Sequence, residues 1–124
     1  MKYVDGFVLV VKKKNLEAYR KMAEEGGKLW KKYGALEYFE CVGDDLKPKM
    51  GKIKIADFPT MAKTKKGETV VFSFIVYKSR KHRDAVNAKV MKDPSMKDPQ
   101  WKDKPMPFDM KRMAYGGFKA IVER

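Results

Sequence analysis

An α+β fold, with four strands in one antiparallel sheet and two helices on a single face of it, is what this 124-residue sequence predicts. Three observations carry the prediction. Four stretches have the apolar alternation of strands, and two stretches between them repeat at helical spacing. The two kinds follow one another in the order β-α-β-β-α-β. That order is the split-βαβ, or ferredoxin-like, arrangement, and it forms one domain over residues 1–124.

The first strand spans residues 3–11, with Tyr3, Asp5, Phe7, Leu9 and Val11 on one face and Val4, Gly6, Val8 and Val10 on the other. Both rows are largely apolar, so it is a central strand covered on both sides. Lys12-Lys13-Lys14 ends it, and Asn15 stands at a helix N-cap position. Leu16, Tyr19, Ala23, Gly26, Trp30 and Tyr33 then form one apolar helix stripe, closed by Gly34. Small Ala23 and Gly26 let that helix lie close to a sheet, and Trp30 belongs to the core.

Residues 35–42 form the second strand, with Leu36, Tyr38, Glu40 and Val42 alternating against Glu37, Phe39 and Cys41. Cys41 shares a face with Phe39 and is expected to be a buried small hydrophobe. A polar loop surrounds Pro48. Ile53, Ile55 and Phe58 suggest a short strand extension over residues 52–61.

Residues 68–77 are the clearest strand, rich in β-branched and aromatic types, and pair antiparallel with the second. Ser79 caps a second helix, residues 80–92, on which His82, Val86 and Val90 make one line and Asp84, Asn87 and Met91 another. His82 reads as a half-buried residue at the helix start. Pro94 and Pro99 stop the helix. A proline-punctuated loop carrying Trp101, a lid or dimer contact, leads to the last strand at residues 112–123. Gly116-Gly117 in that strand marks a bulge or close packing.

Helices on one face leave the other bare, yet Phe72, Phe74 and Val76 oppose Val71 and Ile75, so both faces are apolar. An uncovered apolar sheet face is an association surface. The expected partner is a second copy of the chain, the two sheets packing face to face in a homodimer of α/β-barrel type.

Composition narrows the chemistry. One cysteine, Cys41, and one histidine, His82, exclude a disulfide framework and the usual thiolate or imidazole metal clusters. No metal and no cofactor is expected. No apolar run approaches the roughly 20 residues that span a bilayer, and Asp5 interrupts any leader-like core. A cytoplasmic protein with no membrane partner is the expectation. Lys and Arg number 29 against 16 Asp and Glu, a net charge of +13. Lysine dominates and clusters at element ends, as solvated lysines do, whereas phosphate and base recognition favours arginine. A solvated exterior is therefore preferred, with a nucleic-acid or polyanion footprint as the alternative.

Several segments together resemble one bacterial family. They are Lys2-Tyr3-Val4-Asp5-Gly6-Phe7, Val71-Phe72-Ser73, Arg83-Asp84-Ala85 with Asn87, Asp93-Pro94 with Met96-Lys97, and the closing run from Met106-Pro107-Phe108-Asp109 to Tyr115-Gly116-Gly117-Phe118. The likeness is to the YbaA-like family, a domain of unknown function placed in the dimeric α/β-barrel superfamily. Met110 stands where that family usually carries Gly. The resemblance implies the same dimeric fold, but a shared fold transfers no activity.

Active domains of that superfamily hold their ligands between the sheet and the helices. The polar groups expected near such a pocket are Asp84, Asn87, Asp109, Arg112 and Tyr115, with Asp5 and Arg83 beside them. An Asp109–Arg112 pair is expected to fix the loop. The alternative gives Arg112 an anionic ligand and makes Asp109 or Asp84 a base. The reading is thus a homodimeric small-molecule-binding domain. The sequence leaves open whether it is an enzyme and names no catalytic residue.

Overall fold

The computed structural model describes residues 1–97 and 106–124. Four strands, β1 (Tyr3–Lys12), β2 (Glu37–Val42), β3 (Glu68–Tyr77) and β4 (Phe108–Lys119), form one sheet. The helices are α1 (Leu16–Lys32), a short α2 (Phe58–Ala62) and α3 (Arg80–Lys92). Strand order is β2-β3-β1-β4, with every neighbouring pair antiparallel. The β-α-β-β-α-β order is therefore present, with α2 inserted between β2 and β3. Trp101 and Pro99 lie outside the described residues.

Register explains the two faces. Leu9 stands opposite Val71 on one side and Met113 on the other, which puts the odd residues of β1 beneath the helices. Leu9, Val11 and Val71 pack with Tyr19 and Ala23 of α1. Ile75 and Tyr77 pack with Val86 and Val90 of α3. Together these make the core. The opposite face carries Phe39, Phe72 and Phe74, with Phe39 and Phe74 stacked at 5.0 Å. Phe58 of α2 meets Phe72 edge-on at 6.5 Å from that side. Phe72 and Phe118 remain 44% and 62% exposed.

The helix ends follow local chemistry. Ser79 Oγ accepts the His82 amide at 3.1 Å, so α3 starts where its cap dictates. Gly34, at φ 111°, takes the left-handed conformation that closes α1. At the other end of α1, Asn15 occupies the cap position but its side chain accepts no amide, because a 3₁₀ turn over Lys13–Asn15 leads into the helix.

Four expectations are corrected. Residues 52–57 form no strand. Asp57 caps α2 by accepting the Thr60 amide at 2.7 Å, and Pro59 at its start favours the helical turn. The last strand is Phe108–Lys119 rather than residues 112–123, because its pairing begins at Phe108 opposite Val11 and passes a register shift between Leu9 and Val11. The second strand begins at Glu37, two residues later than expected. Cys41 is exposed, since β2 is an edge strand and its residue lies on the bare face.

Gly117 is required for packing. A Cβ there would come within 2.2 Å of the Tyr3 hydroxyl oxygen and 2.8 Å of the Tyr3 ring. The chain irregularity in this ladder lies elsewhere, so close approach accounts for the glycine.

Substituting Gly117→Ala is expected to destabilise the fold by about 1–3 kcal/mol through overpacking against Tyr3. Leu9→Ala, which empties a buried core position, is expected to cost about 2–5 kcal/mol. Urea denaturation followed by circular dichroism measures both.

Candidate functional site

The five candidate residues divide among three places. Asp84 and Tyr115 meet through Arg83. Its Nε donates to Asp84 at 2.7 Å, while Nη1 donates to the Tyr115 hydroxyl at 3.1 Å and to the buried Asp5 carboxylate at 2.8 Å. The guanidinium also lies over the Tyr3 ring, 5.0 Å from its centroid. Burial works against the Arg83 charge, but the Asp84 hydrogen bond and the Asp5 charge outweigh it and raise its pKa. Burial, then the Asp5 charge, raises the Tyr115 phenol. These groups therefore pin β1, β4 and α3 to one another, and among the described residues no buried side-chain polar atom is left without a partner.

Asn87 points into the core instead. Its Oδ1 accepts from Trp30 Nε1 at 3.0 Å and from the Tyr77 hydroxyl at 3.3 Å, joining α1, α3 and β3. His82, on the same helix, accepts the Lys78 amide through Nδ1 at 3.0 Å and is half-buried.

Asp109 and Arg112 lie together at the far end of the sheet, beside a hollow of about 270 Å³ shared with Glu68 and Asn15. They are not an ion pair. Arg112 donates to both oxygens of Glu68, at 2.7 and 2.9 Å, and to the Lys63 carbonyl at 2.9 Å. Asp109 accepts the Lys111 amide at 2.9 Å, two residues along β4. The bidentate Arg112 hydrogen bonds, helped by the Lys65 amide, hold the Glu68 carboxyl down to about 2.

Two adjoining cavities lie between α1 and the sheet. An open groove of about 760 Å³ runs between α1 and β2, floored by Leu16, Ala23, Val42 and Val71. Behind it a second space of about 240 Å³ reaches under the sheet to Phe7, Met22 and Met113. Tyr19, Tyr38 and Glu40 line both, so they form the wall between groove and interior. Glu40 accepts the Tyr19 hydroxyl at 2.7 Å on one oxygen and the Tyr38 hydroxyl at 2.9 Å on the other. Burial first, and then Glu40, pushes both phenols well above their ordinary range, so each stays a proton donor.

Local sequence builds this wall. Alternation along β2 points Tyr38, Glu40 and Val42 under the helix, with Glu40 opposite Ser73. Gly26 and Gly27 let Tyr38 lie against α1, for a Cβ at Gly27 would stand 2.9 Å from the Tyr38 ring. Tyr115 borders the inner space at one remove by stacking on Phe7 at 4.7 Å. The signal for Glu40 was present in the sequence as the one carboxylate in the row Leu36, Tyr38, Glu40, Val42.

The fold and this geometry define a ferredoxin-like α+β domain with a cavity between helix and sheet and a bare apolar sheet face. Residues 2–110 match the model of the family described as protein of unknown function (DUF1428), and the chain belongs to that family. It is 46% identical over 123 residues to the uncharacterized protein YbaA of Escherichia coli strain K12, covering 99% of each chain. The Shigella flexneri YbaA protein matches to the same degree. Among solved structures, a dimeric ferredoxin-like protein from an uncultured marine organism aligns over 100% of both chains with a TM-score of 0.58 at 13% identity. That likeness supports the fold. No helix among the described residues is long and apolar enough to cross a membrane.

Two predictions follow the charged groups. Removing the buried partner with Asp5→Ala strands Arg83 and is expected to cost about 3–5 kcal/mol, whereas Asp84→Ala, at an exposed carboxylate, costs under about 1 kcal/mol. Chemical denaturation separates them. Glu68 has its folded pKa lowered from the ordinary 4.5 to about 2. Its contribution is therefore complete above pH 4.5 and lost as pH falls towards 2. Glu68→Gln is expected to remove that part of the acid limb in a pH series of thermal melts.

Proposed function

We propose that the chain is a homodimeric small-molecule-binding domain of the α/β-barrel type, its ligand held between α1 and the sheet. One observation carries the reading: the groove of about 760 Å³ backed by a further 240 Å³ reaching under the sheet. A cavity of several hundred cubic ångströms, mostly apolar with a few converging polar groups, is the usual form of a ligand site. Tyr19, Tyr38 and Glu40 are those groups. The site lies on the helical face. Pairing through the opposite face, where Phe39, Phe72, Phe74 and Phe118 cluster, leaves it open.

The five residues first singled out take supporting roles in this proposal. Tyr115 backs the inner space through Phe7, Asp84 and Asn87 hold α3 and its partners in place, and Asp109 and Arg112 fix the far end of the sheet.

Native mass spectrometry of the purified protein tests both parts of the proposal. A dimer carrying a small non-covalent mass that disappears on denaturation is expected. Val42→Trp, which fills the groove from an exposed position, is expected to shed that mass and keep the dimer. Phe72→Glu is expected to give monomers. A wild-type monomer sinks the dimer, and a retained mass indifferent to Val42→Trp sinks the site.

A further inference from the structure

We infer that the α1–β2 groove selects cationic ligands, specifically an amine carried on a flat apolar body. This rests on the small-molecule reading above and adds the charge and shape of the ligand. The groove is lined by three carboxylates, Glu17, Glu24 and Glu40, against two cations, Lys13 and Arg20. Its local balance is negative on a chain whose net charge is +13.

The distribution of partners leaves Glu40 and Lys13 as the lining charges outside the rim network. Arg20 is committed to the rim, donating to Glu17 at 2.7 Å and to Glu24 at 2.9 Å. Glu40 differs: among the described residues its carboxylate has no lysine or arginine within ion-pair distance. It receives two phenol donors, one on each oxygen, and both phenols are held in the protonated state. Each carboxylate oxygen accepts a second hydrogen bond readily, so the charge is oriented and still open to a third donor.

Shape supplies the rest. The carboxylate stands between aromatic Tyr19 and Tyr38, with Leu16, Ala23 and Val42 bordering the open groove beside α1. A ring fits against that apolar surface while its ammonium reaches Glu40. Lys13 is the one lysine among the groove's lining residues, and charges beyond about 8 Å are largely screened at physiological ionic strength. The local carboxylate decides the sign of the ligand.

Isothermal titration of the wild-type dimer with tryptamine, 3-methylindole and indole-3-acetate tests the inference, since the three share a ring and differ in charge. Tryptamine is expected to bind saturably and at least about tenfold more tightly than either of the others, the scale of a charge-assisted hydrogen bond. Glu40→Gln is expected to erase that preference while 3-methylindole binding persists. The ligand-charge contrast is read on the wild-type protein and stands even if the variant fails to fold. Equal binding of all three, or tightest binding of indole-3-acetate, overturns the charge inference and leaves the ligand site intact. No binding by any of them overturns the amine inference, and the retained mass with its response to Val42→Trp decides the ligand site separately.

Discussion

A four-stranded sheet has two faces, and this chain places both of its long helices on the same one. The covered face buries Leu9, Val11, Val71, Ile75 and Tyr77 and so provides the core. The bare face keeps a row of phenylalanines that, among the described residues, the five-residue α2 begins to shield. Burial of apolar surface is the main favourable term in folding and in association alike. The same asymmetry therefore separates two tasks, with cavities on the helical side and an apolar contact surface on the other.

Polar groups hold this frame in register. The Asp5–Arg83 pair crosses from the middle strand to α3, with Tyr115 on the edge strand completing the link. Asn87 ties both helices to β3, and Glu68–Arg112 closes the opposite end. Each interaction joins elements distant in sequence. Breaking one partner leaves a charge or donor stranded, which costs more than the intact interaction contributes. Glu40 stands apart because its partners are neutral phenols and its charge faces a cavity.

Much of this was legible in the sequence. Alternation in residues 3–11 and 68–77 fixed which side chains share a face, and the Ser79 cap located α3 at residues 80–92. The central position of the first strand followed from two apolar rows. What escaped depended on contacts between distant segments. Nothing near Arg112 in sequence announces Glu68, whereas Asp109 is only three residues away and looked the natural partner. Ile53 and Ile55 alternate like a strand, but the capped turn at Asp57 and Pro59 prevails there. Cys41 was read by its neighbour Phe39 without the knowledge that β2 lies at an edge. The site residues were read from the polar groups of the second helix and the closing motif, whereas the cavity depends on small residues of α1 facing β2.

The strand order carries a consequence for how the chain reaches its native state. The first of the four strands in chain order is one of the two interior ones, and its partners come much later: Tyr3 pairs with Tyr77 on one side and Lys119 on the other. Until β3 is synthesised, β1 is an apolar segment with two open edges, the state most prone to misassociation. Sheet completion waits for the C-terminal residues. Such long-range closure is characteristic of slow folders, and it makes the pairing of β1 with β4 the step that completes the sheet.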